Sequence, residues 1–357
     1  MKKTIPFIIL LLYSLIFYGR DDVKKYYKYI DRAEISITKG DLEKARKLYN
    51  KAFRLEKVYF GRDIRTALKV EEKLIPDSSC IYWSFNNYVK MGFQGYKDKS
   101  PNSLCSNFNN LSYWKSIEKM LDTVKLEFNV QLSVELQQIV SSDQKIRDYC
   151  KVFCEPKFMY CKECLDTINV VDSINLIRII NLYSKYSINS RTVKSEQLFN
   201  TIGLILNHNN SKYRVNDLFK ITKKEVLKGN YDARDYITYY DQFYSSVINK
   251  KGNNEEGFYG TTSTMTTNRF FIIFLPTTKK QKKEINQRRK EIYLGDYLLD
   301  AEKYKFQFEQ PKSLSEKYFL VWKYNMDEES EKTLFNYLRK KNIKYNIYYS
   351  KKDVDIK

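Results

Sequence analysis

A chain of 357 residues that is 43% hydrophobic and 30% charged is not a disordered polymer, and it has room for more than one core. Its 63 Lys and Arg against 43 Asp and Glu leave a net charge of +20, but the lysines are spread along the whole sequence with no nucleic-acid-binding motif beside them. The sequence also lacks a Gly-x-Ser-x-Gly elbow, a His-Glu-x-x-His motif and a phosphate loop, which excludes the commonest serine-hydrolase, zinc-protease and nucleotide-hydrolase signatures.

The chain opens on Lys2 and Lys3, followed by an uncharged run from Ile5 to Gly19 that stops at Arg20-Asp21-Asp22. A basic start, an apolar stretch and an abrupt polar boundary predict a secretory signal or anchor over residues 1–22. The run is short of the roughly 20 apolar residues of a full span. Arg20 stands where a lipoprotein signal would carry its Cys, so release and anchoring both stay open. The expected place of the protein is the periplasm or cell envelope, with membrane association through this segment. Nucleic acid is not an expected partner.

Residues 23–127 read as helical. Tyr29, Ile30, Ala33 and Ile37 share one face of a first helix, Lys39-Gly40-Asp41 makes a turn, and Leu42, Ala45, Tyr49 and Ala52 line a second. Small residues at 33, 45 and 52 allow close approach, and Tyr49 fills the space between. Gly40, Ala45, Tyr49 and Ala52 fall at tetratricopeptide spacing, so the hairpin resembles one such repeat. A repeat cannot bury its own faces, so neighbours are expected from Ile64-Ala67-Leu68, from Tyr82 to Met91, and from Phe108, Leu111, Trp114 and Ile117.

Residues 128–310 carry the candidate site. From Val134, the positions Leu136, Ile139 and Val140 form a stripe that continues through Asp143, Gln144, Arg147 and Cys150. Asp143 and Arg147, four residues apart, can pair on one helix face. Such a pair on a core-facing stripe demands further partners unless it lines a cleft. An ordinary intrahelical salt bridge, or a helix boundary at Ser141-Ser142, is the plainer alternative. Asp172-x-x-Asn175 is read as opening a helix with Leu176, Ile179, Ile180 and Tyr183. Leu198, Phe199, Ile202, Ile205 and Leu206 form another, ending at Asn207-His208. Then come Tyr240-Asp241-Gln242, Tyr259-Gly260-Thr261, and Arg288-Arg289 before Leu294-Gly295.

In this order the pieces resemble an uncharacterised family of bacterial helical domains of unknown function. Its pattern is Asp-Gln-x-x-Arg, Asp-x-x-Asn, Gln-His, Asp-Arg, Tyr-Gly-Thr and a late Arg-Arg. The resemblance covers about Val134 to Tyr304 and implies a helical fold and a set of site residues, but no reaction. Asn207 stands where the family has Gln, and Gln242 where it has Arg, which removes a guanidinium from any mechanism that needs one.

His208 is the only histidine in the chain. Imidazole is the side chain best suited to proton transfer near neutral pH. Asp143, Asp241 or Tyr259 could orient it, with Arg147 or Arg289 supplying positive charge. A partly buried histidine with satisfied nitrogens is the alternative.

Cys150, Cys154, Cys161 and Cys164 lie at spacings x3, x6 and x2. Four thiolates this close could hold a tetrahedral zinc. Two disulfides are the simpler expectation in an oxidising compartment, and no other cofactor is expected. Late in the chain, Phe270 to Leu275 is a strand or a buried helical piece. Residues 311–357 read as a small strand-helix-strand appendage, with strands at Tyr318–Lys323 and Ile343–Tyr349 and a helix capped by Asp327.

The expected fold class is therefore mainly α. The leading functional expectation is a protein-interaction or scaffold protein of the envelope, with a protein or peptide partner. The alternative is a hydrolase or transferase with its site at His208, Asp143, Arg147, Asp241 and Tyr259.

Overall fold

A computed structural model describes residues 4–55, 60–74, 128–154, 161–189, 192–193, 196–209, 215–244, 258–261, 264–266, 270–274, 278–309 and 345–349, with a few isolated positions between 329 and 340. The runs at Tyr82–Met91, Phe108–Ile117 and Tyr318–Lys323, and the cap at Asp327, lie outside the described residues. The protein is mainly α-helical. Its chain contacts form two units, residues 1–55 with 240–357, and residues 56–239. The first unit joins two segments distant in the chain, and the second is one continuous stretch.

In the first unit, helix α1 (Thr4–Thr38) runs unbroken across residue 22 and α2 (Leu42–Phe53) folds back on it. The turn explains itself residue by residue. Gly40 has φ +76°, a left-handed conformation that costs glycine nothing. Asp41 N donates to Ser36 O at 2.9 Å and Gly40 N to Ile37 O at 3.0 Å, closing the end of α1 as a Schellman motif. Asp41 then accepts from Lys44 N at 3.1 Å and caps α2, so one residue ends one helix and starts the next. Between the helices, Ala33, Ala45 and Ala52 are fully buried, and Tyr49 stacks on Phe53 with centroids 5.9 Å apart.

The rest of this unit is a three-stranded antiparallel sheet of β1 (Thr264–Thr266), β2 (Phe270–Phe274) and β3 (Tyr345–Tyr349) in that order, with helices α10 (Lys279–Glu291) and α11 (Tyr297–Glu309). The register pairs Met265 with Ile272 and Ile272 with Ile347. The apolar run from Phe270 is thus a central strand. Helix α11 packs against α1, where buried Lys303 meets Asp31, Glu34 and Asp300.

The second unit contains α3 (Gly61–Leu74), α4 (Val130–Phe153), α5 (Lys162–Lys185), α6 (Glu196–Phe199), α7 (Thr201–His208), α8 (Val215–Lys228) and the first turns of α9 (Ala233–Phe243). Asn129 caps α4 by accepting from Leu132 N at 2.8 Å. Helix α4 passes through Ser141-Ser142 without a boundary, because Ser142 Oγ bonds back to Ile139 O at 2.9 Å and leaves the helix ladder intact. Helix α5 begins at Lys162 with Cys161 as its N-cap residue, so Asp172 lies mid-helix. The expectation that Asp172 opens a helix is corrected: the preceding ten residues continue the helical pattern.

Helices α4 and α5 form an antiparallel pair, tied by Arg178–Gln138, Ser142–Asn175 and Arg147–Asp172 contacts and by their cysteines. Helix α7 packs on both. Its Gly203 lies where a Cβ would stand 2.6 Å from Tyr239 Oη, so only a hydrogen fits there.

Candidate functional site

The second unit brings together four side chains from three helices. Asp143 and Arg147 come from α4, Asp172 from α5 and His208 from the end of α7. Asp143 is fully buried, and its carboxylate takes three donors. Arg147 Nη1 lies at 2.8 Å from Oδ1, His208 Nδ1 at 2.8 Å from the same oxygen, and Gln144 Nε2 at 2.6 Å from Oδ2. Arg147 reaches across to α5, where Nη2 donates to Asp172 Oδ1 at 2.9 Å. One guanidinium therefore bridges two buried carboxylates. This bridge is what makes the buried acids tolerable, since a carboxylate without a partner in such a place costs several kcal/mol.

The Asp143 contact decides the histidine's tautomer. A carboxylate only accepts, so Nδ1 carries the proton and the lone pair resides on Nε2. Among the described residues nothing hydrogen-bonds Nε2. The His208 side chain keeps 18% of its surface and Arg147 14%, whereas Asp143 keeps none. The buried acid orients, and the imidazole faces outward.

Around this core sit further buried or partly buried polar atoms. Asn209, next to His208, is fully buried and donates to Ile205 O at 2.9 Å and to Asp172 O at 3.4 Å, while its Oδ1 has no partner among the described residues. Ser142 Oγ lies 2.9 Å from Ile139 O and 3.0 Å from Asn175 Oδ1, although a hydroxyl has one proton to give. Turning the Asn175 amide lets Nδ2 donate to Ser142 and leaves its carbonyl as the atom without a partner. Asn175 appears among the family-pattern residues, one turn beyond Asp172. Asn209 carries no periodic signal, and only its neighbour His208 marks it in the sequence.

Oxygens of Asp143 and Asp172 and a nitrogen of His208 lie within 4.8 Å of one another, a donor set suited to a cation. Arg147 already supplies a positive charge to both carboxylates.

Asp241, Tyr259, Gly260, Thr261, Arg288 and Arg289 belong to the first unit. Asp241 is buried and accepts from Tyr259 N at 2.7 Å, Thr261 N at 2.8 Å and Thr261 Oγ1 at 2.6 Å. It clamps a turn whose centre is Gly260 at φ +76°. Burial pushes the Asp241 carboxyl above the usual range, and its hydrogen bonds and the Arg289 charge pull against that. Arg289 is buried too, donating to Gly295 O at 2.7 Å and Tyr259 O at 3.3 Å and pairing with Asp300. Burial raises the Asp300 carboxyl, but Arg289 and Lys303 outweigh it and hold the group well below the ordinary range. Arg288 donates to Phe258 O at 2.7 Å and lies 4.2 Å over the Phe258 ring. Lys279, Lys280, Lys282 and Lys283 are exposed on the same helix. Here the motif residues hold a turn, with their polar groups bonded to backbone atoms and to the Thr261 and Asp300 side chains.

The four clustered cysteines pair as Cys150 with Cys164 and Cys154 with Cys161, joining the end of α4 to the start of α5. Cys150, Cys154, Cys164 and Ile168 pack together, with Ile146 against them.

No family model, curated protein or solved structure matches this chain. The family resemblance rests on the ordered motif residues alone.

Proposed function

We propose that the protein is an exported hydrolase or transferase in which His208 acts as a general base or acid, oriented by Asp143. The observation that carries this reading is the 2.8 Å contact between His208 Nδ1 and the fully buried Asp143 carboxylate, with Nε2 unbonded among the described residues. Nε2 accepts a proton from water or a substrate hydroxyl as that oxygen attacks. Asp143 stabilises the imidazolium so formed, and the same proton is then available to a leaving group. Arg147 and Asp172 act as positioning residues, because the bridging guanidinium holds Asp143 in the orientation that His208 needs. The site sits in the envelope, on the strength of the basic start and apolar run of residues 1–22.

The test is a screen of the purified protein against phosphate esters, carboxylic esters and glycosides, alongside His208→Gln and Asp143→Asn. Turnover in the parent that falls about 100-fold or more in both variants, at unchanged circular dichroism, supports the reading. Turnover retained by His208→Gln overturns it.

A second reading, an interaction or scaffold protein, has its own observation. Val134, Val152, Phe153, Val170, Ile174 and Ile177 are all exposed on α4 and α5, with Val152 keeping 75% of its surface. Exposed apolar side chains at this density suit a protein partner, as does the tetratricopeptide-like spacing of α1 and α2. Capture of one envelope protein, lost on Val170→Glu/Ile174→Glu, is the outcome it expects; an unchanged set of captured proteins counts against it.

A further inference from the structure

We propose that the cysteine cluster between α4 and α5 is a redox-coupled metal site: reduced, it binds one Zn2+ through four thiolates, and oxidised, it holds the two disulfides.

The geometry gathers three of the sulfurs and ties the fourth to one of them. The Sγ atoms of Cys154, Cys161 and Cys164 lie within 4.8 Å of one another, and Cys150 is bonded to Cys164. A tetrahedral zinc with bonds of about 2.3 Å needs sulfurs about 3.8 Å apart. Reduction of the two disulfides frees each bonded pair of sulfurs to separate to that distance, with three of the four already mutually within 4.8 Å. Their spacing, two cysteines at one helix end and a Cys-x-x-Cys at the next helix start, matches a structural zinc site.

Two features of the cluster suit thiolates as well as disulfides. Cys161 N donates to Cys154 Sγ at 3.0 Å, the kind of hydrogen bond that tunes a metal-bound sulfur. Cys161 and Cys164 are the N-cap and third residue of α5, a 24-residue helix whose positive dipole end favours the net negative charge of a four-thiolate zinc centre. Cys150, Cys164 and Cys154 keep 0%, 3% and 7% of their surface, with Ile146 and Ile168 beside them, so three of the four sulfurs are shielded, while Cys161 is partly buried.

The interconversion balances with a disulfide oxidant. The zinc tetrathiolate, charge −2, reacts with two small disulfides R–S–S–R. Two protein disulfides form, Zn2+ leaves and four R–S− are released, again summing to −2. Four electrons pass from the protein sulfurs to the oxidant. A dithiol reductant and Zn2+ run the reaction backwards.

The experiment uses the full chain, reduced and metal-free, titrated anaerobically with Co2+ as a spectroscopic probe. One Co2+ per chain, with near-ultraviolet sulfur-to-cobalt charge transfer and the visible bands of a tetrahedral ion, is the expected result. The bands should be lost in Cys161→Ser/Cys164→Ser and kept in Cys80→Ser/Cys105→Ser, which replaces the other two of the chain's six cysteines. Absence of charge-transfer bands in the parent, or their survival in Cys161→Ser/Cys164→Ser, overturns the proposal. Alkylation of the reduced parent with iodoacetamide, mapped by mass spectrometry, gives a readout independent of any variant's folding. Zn2+ should slow modification of the four cysteines of residues 150–164 at least tenfold, and equal rates with and without Zn2+ overturn the proposal. Oxidised glutathione should then release the bound zinc, and retention of zinc after complete disulfide formation overturns the redox coupling.

Discussion

At the scale of single residues, the decisive object is the carboxylate of Asp143, which accepts from Arg147, His208 and Gln144 at once. Replacing Arg147 with Met leaves Asp143 and Asp172 buried without their shared cation. Unfolding free energy should fall by about 3–5 kcal/mol, read from urea denaturation. A fall below about 1 kcal/mol would show that the bridge is only a surface pair. Two carboxylates of the first unit should respond to pH with opposite signs. Asp300 is held below its unfolded range by Arg289 and Lys303. Its contribution is full above about pH 3.9 and declines as pH falls below that value. Asp300→Asn should therefore flatten the acid side of the stability curve, and urea midpoints that fall in parallel with the parent's would refute this. Asp241 is raised by burial, so the folded state binds its proton more tightly and stability falls as pH rises through the carboxylate range.

At the scale of elements, close approach depends on absent side chains. Gly260 has φ +76°, and a Cβ there would meet Ile285 Cγ2 at 3.1 Å and Tyr297 Cγ at 3.3 Å. Gly260→Ala should cost about 1–2 kcal/mol from the left-handed backbone alone, and calorimetry should show a lower Tm. Gly203→Ala places a methyl against Tyr239 in the contact between α7 and α9, and should cost about 1–3 kcal/mol. The cysteines brace α4 against α5, and these helices carry Asp143, Arg147 and Asp172. Reduction in the presence of a chelator should therefore cost about 2–4 kcal/mol, checked by urea unfolding with and without reductant. Much at this scale was legible beforehand. The turn at Lys39-Gly40-Asp41 announced itself by a glycine and a capping Asp, and the 3.6-residue period marked α1, α2 and α4. The start of α5 was missed because a cysteine N-cap residue makes no side-chain cap hydrogen bond, so no Ser, Thr, Asp or Asn marks the boundary.

At the scale of the whole molecule, the two units are built differently. One joins the first 55 residues to everything from Tyr240 onward, and the other is the stretch between. Among the residues whose side chains are described, no helix is long and apolar enough to cross a membrane; the side chains of residues 1–20 are outside that set. The expected location remains a prediction at this scale. Cell fractionation should recover the chain with the envelope, and recovery in the cytoplasmic fraction would remove the signal reading of residues 1–22.

By itself the sequence determined the helical class and the α1–α2 turn, and it set Asp143 and Arg147 at a spacing that allows a pair. All of these follow from short-range rules, namely a helical period, a capping side chain and a four-residue step. Only the tertiary structure decided that Asp143 meets His208, 65 residues away, and that Arg147 meets Asp172, 25 residues away. It also decided that Asp241 and Tyr259 belong to a clamped turn in the other unit. Such contacts depend on how α4, α5 and α7 pack, and no periodicity along one helix encodes which residue of another helix will face it.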